Sequence, residues 1–82
     1  MTMTFDHSLS LRDGMRHAHW RNEDLWVASV ALGGNLAQRD VERITSGDVT
    51  PSAHEYDVLA AALNDHFIDV GIVNPVRYSD AV

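Results

Sequence analysis

The chain contains no cysteine. Disulfides, thiolate zinc sites, iron–sulfur clusters and a cysteine nucleophile are thereby excluded. Lysine is also missing: all six basic residues are arginine, at positions 12, 16, 21, 39, 43 and 77. A phosphate loop of the Gly-Lys-Ser/Thr kind is therefore ruled out. Six cations face twelve acids, and the formal net charge is -6. The mean field of such a chain repels phosphate, so nucleic-acid binding would need a local basic patch. No apolar run approaches the roughly 20 residues of a membrane span. The start, Met1-Thr-Met-Thr-Phe-Asp-His-Ser, lacks the basic and apolar segments of a signal peptide. These absences point to a cytoplasmic protein without a membrane partner.

What is present is a short chain with a globular composition. Its 82 residues are 45% hydrophobic, enough for a packed domain rather than a disordered one. A chain of this size buries roughly 60–65% of its unfolded surface, so its core is thin. Help from a second copy or another protein is expected.

The pattern predicts an all-α domain of three to four short helices over residues 11–78. A flexible leader is expected over 1–10 and a frayed end over 79–82. Leu9, Leu11 and Met15 offer one weak apolar edge for a helix near 9–19, with Gly14 disfavouring it by about 1 kcal/mol. Asn22 reads as an N-cap before Leu25–Leu32, a segment apolar round most of its circumference. Gly33-Gly34 ends it. Leu36 to Ser46 reads as the next helix, with Asn35 as its cap. Thr50-Pro51 or Ser52, the latter with Glu55 in a capping box, opens a last helix that ends at Gly71. Its stripe is Tyr56, Leu59, Ala60, Leu63, Phe67 and Val70. The expected core is Leu25, Val27 or Ala28, Leu32, Leu36, Val41, Ile44, Tyr56, Leu59, Ala60, Leu63 and Phe67.

Chemistry-bearing patterns are scarce. His17 and His19 point about 200° apart on a helix and cannot share a metal there. His54 beside Glu55, and His66 beside Asp65 and Asp69, complete no ligand set. No Gly-x-Ser-x-Gly, His-Glu-x-x-His or Gly-x-Gly-x-x-Gly occurs. The expectation is no catalytic residue, no metal and no cofactor: not an enzyme. Trp20 and Trp26 are interface-type side chains, and Val76 and Tyr78 lie in the tail. These four are the expected protein-contact residues. In the alternative, Gln38, Arg39 and Arg43 form a DNA-reading edge, because Arg suits guanine and Gln suits adenine.

Two stretches resemble known proteins. Val41-Glu-Arg-Ile44-Thr-Ser-Gly47-Asp-Val-Thr-Pro51, followed by Glu55–Asn64, is similar to part of the Cro/repressor type of helix-turn-helix domain. That resemblance implies a DNA-binding regulator with Gln38, Arg39 and Arg43 facing DNA. It departs upstream, where Gly33-Gly34-Asn35 replaces the usual single-glycine turn. Leu25-Trp26, Ala31-Leu32-Gly33-Gly34-Asn35, Val41-Glu42, Asp57–Ala60, Ala62–Asn64 and Pro75–Tyr78 resemble a group of small acidic actinobacterial-type proteins of unknown function. This second resemblance spans most of residues 25–78. It implies a helical layout and a bacterial, cytoplasmic setting, and supplies no site residue. The function expected is a small regulatory module that binds another protein or a second copy of itself.

Overall fold

A computed structural model of the chain describes residues 7–71 and residue 76. Four helices follow in order: α1 (His7–Ala18), α2 (Asn22–Ala31), α3 (Gln38–Ser46) and α4 (Ala53–Val70). No strand occurs among the described residues. The all-α bundle is as expected. α1 and α2 each pack on both α3 and α4, so they lie across the bundle from one another.

The starts of α2, α3 and α4 are set by acids in the first turn. Glu55 Oε1 accepts from Ser52 N at 2.8 Å, and Ser52 Oγ accepts from Glu55 N at 3.1 Å. That is the complete box the sequence offers, with Ser52 rather than Thr50 at the cap. Asp24 accepts from Arg21 N at 2.9 Å, and Asp40 from Ala37 N at 3.0 Å. The N-caps of α2 and α3 are therefore Arg21 and Ala37, not Asn22 and Asn35. Asn22 instead holds the bundle together, its Oδ1 accepting from Thr45 Oγ1 of α3 at 2.7 Å. Gly33 closes α2 with φ +87°, which glycine adopts without penalty. Gly34 N then reaches the carbonyl of Ser29 at 2.9 Å.

α1 begins at His7, so residues 7–10 are helical rather than part of a leader. It contributes Leu11, Met15 and Ala18 to a core completed by Leu25, Val41, Ile44, Tyr56, Leu59, Ala60, Ala62, Leu63, Phe67 and Val76. Of the alternatives Val27 and Ala28, Ala28 packs against the core and Val27 is 55% exposed, because α2 turns only its Leu25–Ser29 side inward. Two expectations fail here. Leu32 is 46% exposed although it shares that side by spacing, because the helix ends at Ala31 and Leu32 is its C-cap. Val70, at the end of its stripe, is also exposed. Leu36 and Ala28 are half-buried against the core. Tyr78 and residues 79–82 lie outside the described residues.

Candidate interaction surface

The residues expected to make contacts divide into two kinds. Val76 is buried, and Asn64 holds it by both backbone groups: Asn64 Oδ1 accepts from Val76 N at 2.7 Å, and Asn64 Nδ2 donates to Val76 O at 3.0 Å. Trp26 is half-buried and donates from Nε1 to Leu36 O at 2.9 Å, which pins the α2–α3 connection. Both side chains serve the fold itself. Trp20 is different. His19 takes a left-handed conformation (φ 58°), and Trp20 N bonds Met15 O at 2.9 Å to close α1. That turn swings the indole onto the α4 side, where its ring lies 4.7 Å from the His66 ring.

Trp20 and His66 form one end of an open groove of about 260 Å³ between α2 and α4. Ala28, Ala31 and Leu32 supply its α2 wall, and Ala62, Asp65 and Asp69 its α4 wall. The outer face of α2 continues the apolar surface: Val27 and Val30 are about half exposed, and Ala31 stands beside them at helical spacing. β-branched residues gain nothing on a solvated helix face, since they restrict their own rotamers there. Glu23 stands one turn before Val27. Neither Asp65 nor Asp69 pairs with a cation among the described residues. Sequence reading marked α2 as apolar over most of its circumference, but placed Val27 or Ala28, and Leu32, in the core. The exposed valines could have been found from the Glu23–Val27–Val30 spacing, which shares one face.

Arg39 and Arg43 are both exposed on α3, and Gln38 is half-buried. The two arginines lie opposite the buried Val41 and Ile44, whereas Gln38 borders the buried side. Asp40 spends its carboxylate on the α3 N-terminus, while Glu42 is exposed among the arginines.

A second cleft of about 270 Å³ lies where the α2–α3 connection meets the start of α4. Of its polar side chains, Ser52 and Glu55 are engaged in the capping box and Ser29 donates to Trp26 O, while Asn35 and His54 also line it. Among the described residues, no three His, Asp or Glu side chains converge on a metal-sized site. No described helix is long and apolar enough to cross a membrane. No family model, no curated protein and no solved structure matches the chain.

Proposed function

We propose that the protein is a small non-enzymatic interaction module, regulatory in role, whose contact surface is the outer face of α2 together with the α2–α4 groove. The observation that supports this reading is the exposure of Val27, Val30 and Leu32 along α2 in a folded bundle, with Leu32 and Trp20 lining the same groove. Contiguous apolar surface on a small domain marks a contact site. The partner is another protein or a second copy of the chain, in a cytoplasmic setting.

A photo-crosslinking residue placed at Val30 or at Leu32 tests the reading in cells. Crosslinks from these positions, and none from a control at the exposed Ser46, are the expected outcome. Equal silence at all three positions would remove the interaction reading.

The alternative is a DNA-binding regulator that reads through α3, supported by the exposed Arg39 and Arg43 four residues apart. It requires duplex binding that weakens steeply with salt. The double substitution Arg39→Ala, Arg43→Ala should then abolish that binding. Retention of binding by this variant would show that α3 does not read DNA.

A further inference from the structure

The α2–α4 groove has an acidic rim, and the same chain carries a surface of the opposite sign. On the outer side of α1, Leu9, Arg12 and Arg16 stand at offsets of three and four residues and all are exposed. With Asp13 they line a shallow depression of about 290 Å³. Leu9 is 57% exposed. The Arg12 guanidinium meets no described carboxylate; its Nε lies 3.4 Å from Ser8 O. Arg16 pairs with Asp13 at 2.6 Å, but both side chains are more than half exposed. An exposed pair of this kind contributes little and is readily exchanged.

From this complementarity we infer that the occupant of the α2–α4 groove is α1 of a second copy. Leu9 enters the apolar floor beside Trp20 and Leu32, and Arg12 and Arg16 meet Asp65 and Asp69. A groove-to-groove contact between two copies would instead bring Asp65 and Asp69 against their own equivalents, where like charges repel. The contact joins two different surfaces of the chain, the outer face of α1 on one copy and the α2–α4 groove on the other. This inference rests on the interaction reading and names the partner for it.

Charge reversal tests it, followed by sedimentation velocity from micromolar to millimolar protein. The wild-type chain is expected to associate as concentration rises. Arg12→Glu with Arg16→Glu, and separately Asp65→Arg with Asp69→Arg, should each weaken association by more than about ten-fold. Mixing the two variants should restore it, because each then meets a surface of opposite sign. A chain carrying all four substitutions should associate by itself. A wild-type chain that stays monomeric, an Arg12/Arg16 variant that associates normally, or a mixture that stays monomeric would each overturn the proposal. Circular dichroism checks that the variants fold. Should one fail to fold, dilution of the wild-type chain followed by amide NMR keeps the test: α1 and groove signals must move together, and movement of the groove alone refutes the contact. A monomeric wild type that still crosslinks to a different protein from Leu32 would end this proposal and leave the interaction module standing.

Discussion

The side-chain amide of Asn64 pairs with the backbone of Val76 twelve residues further on, donating to its carbonyl and accepting from its N–H. A single side chain thus does for the tail what a neighbouring strand would do. Both groups are buried, so neither has water to replace the lost partner. Asn64→Leu should therefore destabilise the fold by about 2 kcal/mol, limited by the freedom of the tail to move into solvent. Asn64→Asp keeps the acceptor but sets a buried carboxylate oxygen against the Val76 carbonyl, and should cost at least as much as Asn64→Leu at neutral pH. Urea unfolding gives the size of the effect. Hydrogen exchange at Val76 gives its location, and an unchanged Val76 amide in Asn64→Leu would contradict the clamp.

Gly14 is the floor under the same residue. A Cβ built there would lie 2.7 Å from Val76 Cγ2 and 3.0 Å from Leu63 Cδ1. Gly14→Ala would gain about 1 kcal/mol of helix propensity in α1. Overpacking against a β-branched side chain disfavours it by about 1–3 kcal/mol, and this should win. Val76→Ala removes the clashing methyl. The double variant should then be more stable than the sum of the two single effects allows. A strictly additive cycle would show that the tail does not rest on Gly14.

How far the sequence carried follows from the range of each interaction. The start of α4 was legible because Ser52 and Glu55 are three residues apart and their box is local. The stripe Tyr56–Leu59–Leu63–Phe67 was legible because one helix face repeats it. Gly14 read as a flaw in α1, since its reason is Val76, which lies far along the chain. The role of Asn64 was hidden for the same cause, since its partner Val76 stands twelve residues away. On α2 the apolar excess was visible, but periodicity alone does not decide which side turns inward. Ser29, fully buried with its hydroxyl donating to Trp26 O at 2.7 Å, marks the inner side, while Val27 and Val30 take the outer one. The candidate surface was therefore half legible: Trp20 was named, while Val27 stood as an alternative to Ala28 in the core and Val30 was not singled out.

His19 carries strain that glycine would relieve. Its φ of 58° places Cβ close to the following carbonyl, a conformation that disfavours an L-residue by about 1–2 kcal/mol. Its side chain is exposed, so little packing is lost on removal. Glycine also loosens the unfolded chain, which offsets part of the gain by about 0.5–1 kcal/mol. His19→Gly should thus stabilise the protein by about 0.5–1 kcal/mol, read as a higher unfolding midpoint in urea. The Trp20–His66 contact should survive, because the Trp20 N to Met15 O bond is independent of the side chain at 19. A lower midpoint would mean that the His19 side chain makes a contribution larger than the strain.

Tyr56 makes stability fall at alkaline pH. Its ring is buried, its hydroxyl donates to Ser10 Oγ at 3.0 Å, and the His7 ring meets it edge-on at 4.8 Å. Burial raises its pKa; the Ser10 hydrogen bond pulls it down, and the charge of Asp57 adds to the rise. The folded state therefore holds the phenol proton more tightly than the unfolded chain does. Its contribution is fully present below the unfolded pKa of about 10 and is lost as pH climbs through the higher folded value. Tyr56→Phe should cost about 0.5–1.5 kcal/mol at neutral pH through the lost bond to Ser10. Above about pH 10 the same variant should lose stability less steeply than the wild type, since phenylalanine has no proton to release. Thermal unfolding at a series of pH values separates the two effects. Parallel alkaline slopes for the two proteins would show that Tyr56 ionises at the same pH in the folded and unfolded chains and that the loss belongs to other groups.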